Sequence, residues 1–273
     1  MFSARVRRTG SLRSIWYRRE RKRRPRETSP VNPLQPVSTP RPRPVPTEGL
    51  WQCGNPDAMV RCLVRLVTDS RVVYHLPAEA VERKLRLFYC ACCRLRWESL
   101  SPICRDVIET VERFVDGAEN KHGLRHARRA AQEVGRAIRA KPYSPEQVNE
   151  CWLFSLVETA VERTRLRDGH VRGGHSIDTT AQIVLLRDLF DNPFRPCWVG
   201  RRWITPTVVA LARVIYAERA FDLMPVLADA LQDAGCDDEH ILTHCRGREE
   251  VGYPVQGAHA RGCWVLDAIL GKE

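Results

Sequence analysis

The strongest constraint on the fold is a series of segments in which apolar residues recur every three or four positions. The longest such segment is PAEAVERKLRLFYCACCRLRWESL, residues 77–100. Its apolar residues follow one another at steps of four, three, four and three, which places them on one face of an α-helix. These residues are Val81, Leu85, Phe88, Cys92 and Leu95. The segment is therefore predicted to form a helix that buries this face.

Several of these segments open with a helix-start signal, in which a hydroxyl side chain stands directly before a proline. Such a side chain caps free backbone N–H groups, and proline suits the first helical position. Three pairs of this kind occur: Ser101-Pro102, Ser144-Pro145 and Thr205-Pro206. Only 71–75 and 198–204 have any two-residue alternation typical of a strand. The body is therefore predicted to be all-α, an irregular bundle of about ten helices.

The positive charge of the chain is concentrated at its beginning. Residues 1–48 contain 13 Lys+Arg and 3 Asp+Glu, whereas residues 49–273 contain 31 and 30. An Arg-rich block is followed by a Pro-rich block that includes PRPRPVP, which favours extended polyproline conformation. Low hydrophobicity with high charge is typical of disorder. We therefore predict a disordered basic tail over 1–48 and a nearly neutral folded body.

The tail has two open interpretations. Ile15, Trp16 and Tyr17 lie within the basic run, a combination that suits stacking on bases or contact with an anionic membrane. Binding of nucleic acid is therefore one possibility, restricted to residues 1–48. The other is an extension without a role in the fold, because basic tails are common and unspecific.

A glycine-rich segment divides the predicted helices into two groups. DGHVRGGHS, residues 168–176, follows no strand and matches no phosphate-binding fingerprint, so we predict a connector. It separates an N-terminal helical subdomain, 49–170, from a C-terminal one, 176–273. The alternative is that the two form one continuous domain.

The eleven cysteines do not indicate a disulfide framework, because their number is odd and their spacing irregular. Cys90, Cys92 and Cys93 fall within a helical pattern and are predicted to be core thiols. No apolar run is long enough for a membrane span, and no signal peptide is evident. We therefore expect a cytoplasmic, reducing setting.

Four segments resemble a family of uncharacterised helical proteins that is numerous in planctomycete genomes. They are ERKLRLFYCACCRLRW, LLRDLFDNPFRP, IYAERAFDLMPVLADALQDAGC, and ILTHCR with HARGCWVLDAILGK. The resemblance covers 51–272 and is strongest in the final third. It implies an all-helical fold but supplies no activity, cofactor or catalytic residue.

The last two predicted helices contain the only tight cluster of His and Cys. His240 and His244 are four residues apart, as are His259 and Cys263, so each pair shares a helix face. Two such pairs on adjacent helices could close a tetrahedral zinc site with three nitrogens and one sulfur. The alternative is that His244 caps its helix while Cys245 and Cys263 pack as small apolar residues.

Two observations weigh against the metal interpretation. Arg246, Arg248 and Arg261 surround the cluster, and a group of cations disfavours a metal ion. In the family that the chain resembles, the position of His240 is usually acidic. The first prediction is therefore that the protein has no cofactor, and zinc at His240, His244, His259 and Cys263 is the alternative.

A thiol enzyme is the other chemical hypothesis for these residues. Cys245 or Cys263 would be the nucleophile, His259 its base and Asp267 the group that orients the base. Nothing in the sequence indicates an oxyanion hole or a substrate pocket. The favoured function is therefore a non-catalytic protein-interaction module with an unknown protein partner. The metal or thiol site and the nucleic-acid-binding tail remain alternatives.

Overall fold

The computed structural model describes residues 46–69, 74–162, 177–247 and 259–272. Within these ranges there are eleven α-helices, three short 3-10 helices and no strand, so the all-α prediction is confirmed. The helices are α1 Glu48–Gln52, α2 Pro56–Thr68, α3 Ala78–Arg94, α4 Pro102–Val115, α5 Lys121–Arg139, α6 Pro145–Val161, α7 Thr179–Phe190, α8 Pro206–Glu218, α9 Met224–Asp233, α10 Glu239–Arg246 and α11 Trp264–Leu270.

Some sequence predictions concern residues outside the described ranges. These are the disordered tail up to residue 45, the connector at 168–176 and most of the possible strand at 71–75. The second possible strand, 198–204, instead contains the 3-10 helix Arg201–Trp203. Among the described helices, none combines the length and the apolar composition needed to cross a bilayer.

The predicted helix starts are confirmed by their caps. The side chain of Ser101 accepts a hydrogen bond from the backbone N–H of Cys104, Ser144 from Gln147 and Thr205 from Val208. Each cap is followed by a proline that has no N–H to satisfy. The sequence therefore fixes where these three helices begin.

The described helices bury two hydrophobic clusters within one compact unit, 44–273. The first cluster is centred on α3 and includes α2, α4, α6 and α7. The second is formed by α8, α9, α10 and α11. Cys90, Cys92 and Cys93 lie in the first cluster with at most 1% exposure, as predicted for core thiols. The predicted apolar face of α3 is buried only as far as Cys92. Leu95, which was predicted to belong to it, lies just past the end of the helix and is 49% exposed.

Buried charges connect α3 to the end of α7 and to α11. Lys84 is 1% exposed, and its ammonium group donates to the carbonyls of Leu189 (2.9 Å) and Gly262 (3.1 Å) and to the carboxylate of Asp267 (2.9 Å). An ammonium group has three hydrogens, so each hydrogen has an acceptor. Arg83 adds a two-pronged contact with Asp267, at 2.7 and 3.3 Å. These bonds hold the chain on both sides of the site described next.

Candidate metal centre

Four potential metal ligands converge where α7, α10 and the start of α11 meet. They are Asp188 on α7, His244 on α10, His259 just before α11, and Cys263 at the N-cap of α11. One ligand atom from each residue lies within 4.8 Å of the ligand atoms of the other three. We call these four residues the tetrad.

Some of the distances between the ligand atoms are close to those of a tetrahedral site. His244 Nε2 lies 3.2 Å from Cys263 Sγ and 3.4 Å from Asp188 Oδ1. His259 Nδ1 lies 2.7 Å from Asp188 Oδ1 and 3.9 Å from Cys263 Sγ. Zinc bonds of about 2.0–2.3 Å in tetrahedral geometry place ligand atoms roughly 3.3–3.6 Å apart. Two of these four distances, those from His244 Nε2, are close to the tetrahedral range, whereas the distance between His259 Nδ1 and Asp188 Oδ1 would have to lengthen by about 0.6 Å to fit an ion.

The backbone around the tetrad is fixed by its own bonds. The backbone N–H of Ala260 donates to Asp188 Oδ2 at 2.9 Å, which holds the segment carrying His259 against α7. On the other side, α10 ends at Gly247 in the left-handed conformation, with His244 in its last turn. The tetrad is thus assembled from three chain segments that are also held by contacts of the protein itself.

A complete hydrogen-bond network occupies the tetrad. Trp264 Nε1 lies 3.3 Å from His244 Nδ1, and an indole nitrogen can only donate. We therefore assign the proton of the neutral imidazole to Nε2, which faces Asp188 and Cys263. The Asp188 carboxylate also accepts from His259 and from the Ala260 backbone. In this arrangement the buried carboxylate is well satisfied without an ion.

The electrostatics of the tetrad favour an ionised Asp188 beside a neutral His244 and a neutral Cys263 thiol. Burial alone would raise the pKa of Asp188, but the charges and hydrogen bonds of His259 and His244 outweigh burial and hold that pKa below its ordinary value. Burial lowers the pKa of His244 despite the neighbouring carboxylate. Burial also raises the pKa of Cys263 well above its ordinary value, and the charge of Asp188 adds to this effect. Near neutral pH, Asp188 is therefore ionised while His244 and the Cys263 thiol are neutral.

Three of the four residues predicted as metal ligands lie in the tetrad, and His240 lies outside it. Its ring nitrogen Nε2 is 2.7 Å from Asp191 Oδ1, and its ring stacks on Trp264 with centroids 5.5 Å apart. The fourth position of the tetrad is taken by Asp188, which the sequence analysis missed. The sequence did contain a signal for Asp188, because an acidic residue that lies among Leu185, Leu186 and Leu189 on a buried helix face needs a partner.

The thiol-enzyme arrangement is wrong in its orienting group. The carboxylate beside His259 is Asp188, whereas Asp267 is bound by Arg83 and Lys84. Burial also raises the pKa of Cys245, so neither candidate thiol is a ready nucleophile near neutral pH.

The arginines that seemed to disfavour a metal ion have other partners. Arg246 donates to Asp229 and Gln232. Arg261 donates to the backbone carbonyls of Tyr216 and Ala217. Arg248 lies outside the described residues. The described arginines are therefore engaged with groups outside the tetrad.

Comparisons of the chain with protein-family models, curated proteins and solved structures find no match. The resemblance to a planctomycete family stays a prediction. Function is therefore inferred below from the geometry of the described residues.

Proposed function

We propose that the chain binds a zinc ion through the tetrad. The observation that carries this proposal is the convergence of four ligand atoms from three chain segments within 4.8 Å. One thiol, two imidazoles and one carboxylate form a donor set that suits zinc, whereas magnesium and calcium prefer oxygen ligands alone.

The burial of the tetrad favours a structural ion. The side chains are 4% exposed for Asp188, 9% for His259 and 16% for His244, and Cys263 is 0% exposed. Structural zinc sites have four protein ligands, whereas catalytic sites keep one position open for water or substrate. The ion would connect α7, which belongs to the first hydrophobic cluster, to α10 and α11 of the second. This role agrees with the sequence prediction of a non-catalytic protein; a protein partner and a cytoplasmic location stay predictions.

Binding of the ion requires three protons to move. His259 Nδ1, which donates to Asp188 Oδ1 at 2.7 Å, must have its proton on Nε2 instead before it can be a ligand. Zinc at His244 Nε2 needs the ring proton on Nδ1, where the Trp264 N–H now donates at 3.3 Å. Two donors would then face each other, so the bond between Trp264 and His244 has to break. Cys263 must also lose its thiol proton, because the thiolate is the ligand. The ion therefore competes with the hydrogen-bond network already present.

Metal analysis of the purified full-length chain tests the proposal. After reconstitution with zinc and removal of the excess, we expect one zinc ion per chain by elemental analysis. Substitution with Co²⁺ should give the absorption of a tetrahedral ion and a thiolate-to-metal charge-transfer band. The proposal fails if the reconstituted chain holds no stoichiometric zinc and Co²⁺ gives neither signal.

A pair of cysteine variants identifies the ligand. Cys263→Ala should remove the charge-transfer band and weaken zinc binding. Cys245→Ala is the matched control, because Cys245 is also buried, at 1% exposure, but is not a member of the tetrad. Equal loss of the band in both variants would show that the thiolate is not Cys263.

A further inference from the structure

Helix α5 is strongly positive, although the net charge of the whole body is close to zero. Its sequence, KHGLRHARRAAQEVGRAIR, contains six Lys+Arg and one Glu, a net charge of +5. Residues 49–273 as a whole have a net charge of only +1, from 31 Lys+Arg and 30 Asp+Glu. The rest of the body therefore has 25 Lys+Arg and 29 Asp+Glu, a net charge of −4, so α5 is positive within an acidic remainder.

Four exposed cations form a straight row along this helix. They are Lys121, Arg125, Arg129 and Arg136, at steps of four, four and seven residues. These steps keep the side chains on one face, and the helical rise of about 1.5 Å per residue places neighbours in the first half about 6 Å apart. The whole row is roughly 22 Å long by the same rise. We call these four residues the α5 row.

The opposite face of α5 is fixed against the rest of the body. Ala127 and Ala131 are buried in the first hydrophobic cluster. Gly135 lets α6 approach closely, since a Cβ atom there would lie 2.5 Å from the ring of Phe154. The α5 row therefore points to solvent from a rigid support.

The α5 row forms no close ion pair in the described part of the chain, and the one carboxylate near it on α5 is that of Glu133, four residues after Arg129. None of its four side chains has a hydrogen bond or ion pair there. By contrast, the cations at the end of the helix are paired with α6, Arg139 with Glu158 and Lys141 with Glu150. Within the described residues, the acidic residues of α6 thus pair with this end of the helix and not with the row.

The chemistry of the exposed face selects among polyanions. Exposed residues of α5 are charged or polar apart from small Ala137, so no large apolar side chain is available to enter a membrane interface. No Phe, Tyr or Trp is present on α5 to stack on unpaired bases, and its exposed rings are those of His122 and His126. A row of exposed cations without a large apolar side chain suits the phosphates of a duplex, which carry closely spaced charge and need no base contact. We infer that the α5 row binds the phosphate backbone of double-stranded nucleic acid, independently of sequence.

Binding of a DNA duplex by the full-length chain tests this inference. Fluorescence anisotropy with a labelled duplex of about 20 base pairs would be measured over a salt series. The test variant is Arg125→Gln with Arg129→Gln and Arg136→Gln. The control variant is Arg61→Gln with Arg96→Gln and Arg213→Gln, which changes the net charge equally at exposed arginines on other elements.

We expect the test variant to bind at least about tenfold more weakly near 0.1 M salt, because each lost phosphate contact reduces counterion release. The slope of log K against log salt should become less steep by about 3, at about 0.9 per contact. The control variant should keep most of the affinity and the slope. Circular dichroism should show unchanged helix content in both variants.

Three results would overturn the inference. One is that the full-length chain binds no duplex. Another is that both triple variants lose affinity equally, which would assign binding to overall charge or to the basic tail. The third is that the test variant loses binding to phosphatidylserine vesicles or to polyglutamate while duplex binding is unchanged. None of these results would alter the zinc content, so the two proposals fail separately.

Discussion

Trp264 Nε1 lies 3.3 Å from His244 Nδ1 and donates to it. Because the indole cannot accept, this bond fixes the His244 proton on Nε2, the nitrogen that faces Asp188 and Cys263. The hydrogen-bonded tetrad and the zinc-bound tetrad therefore need different tautomers of the same ring. The hydrogen bond from Trp264 to His244 therefore reduces the affinity for an ion, because the ion has to break it in order to bind.

Removing the indole donor should strengthen zinc binding. In Trp264→Phe, His244 can place its proton on Nδ1 without facing another donor. A hydrogen bond contributes about 0.5–1.5 kcal/mol, so we expect an affinity gain of up to about tenfold. Competition with a chromophoric chelator measures it. Trp203→Phe is the control, because Trp203 is also buried but its Nε1 has no hydrogen-bond partner in the described structure. A weaker or unchanged affinity in Trp264→Phe would contradict the tautomer assignment.

Zinc affinity should rise with pH. Burial raises the pKa of the Cys263 thiol, so the thiol is protonated near neutral pH and its proton is released when zinc binds. Burial lowers the pKa of His244, so that ring is already neutral. One released proton makes the apparent affinity increase about tenfold per pH unit while the free thiol stays protonated. Calorimetry in buffers of different ionisation enthalpy counts the proton. No dependence on buffer would mean that Cys263 is not bound as a thiolate.

Acid should destabilise the metal-free protein through the tetrad. The pKa of Asp188 is lower in the folded chain than its ordinary value, so its contribution to stability is present at neutral pH and is lost as the pH falls towards the folded pKa. His244 acts in the same direction, since its lowered pKa lets the unfolded chain bind a proton first.

The matching variant is Asp188→Asn, which removes the charge from a buried, hydrogen-bonded position. We expect a loss of about 3 kcal/mol in the free energy of unfolding at pH 7, and a smaller further loss on acidification than in the unaltered chain. Asp229→Asn is the control, because Asp229 is 69% exposed and pairs with Arg246 at the surface. Denaturant unfolding at pH 7 and at a pH about one unit below the ordinary pKa of Asp measures both, because the unfolded carboxylate is then mostly protonated. Equal losses for the two variants would contradict a buried, ionised Asp188.

Gly262 should tolerate no side chain. Its φ of +91° disfavours other residues, and a Cβ atom there would lie 2.7 Å from Leu87 Cδ1. Gly235 has a similar φ of +86° but open space around it, so Gly235→Ala isolates the backbone cost of about 1–2 kcal/mol. We expect Gly262→Ala to lose a further 1–3 kcal/mol or so in thermal or denaturant unfolding, because Leu87 must shift within a filled core. Equal destabilisation would show that the contact is relieved easily.

The fold could be predicted from the sequence wherever the signals are local. Caps such as Ser101 and Thr205 act on residues three positions away, so spacing in the sequence is enough. Leu95 was wrongly predicted to be buried on α3, because the apolar pattern continues in the sequence after the helix has ended. Periodicity gives the face of a helix but not its last turn.

The tetrad could be predicted only in part, for the same reason. His244, and the pair of His259 and Cys263, lie close together in the sequence, but Asp188 joins them through the packing of α7 against α11, which spacing does not reveal. His240 shares a helix face with His244, yet it lies one turn away and meets Asp191. The cationic row of α5 was missed because charge was summed over the whole body.

If the tetrad takes zinc as proposed, the three bonds of Lys84 imply an order of events when the protein is made. Its ammonium group holds the carbonyls of Leu189 and Gly262, the immediate neighbours of Asp188 and Cys263, without any help from an ion. The chain should thus reach its native shape first and acquire zinc afterwards, unlike small zinc domains that stay unfolded until the metal arrives. A newly synthesised copy in a zinc-starved cell would then be folded and vacant, ready to be loaded later.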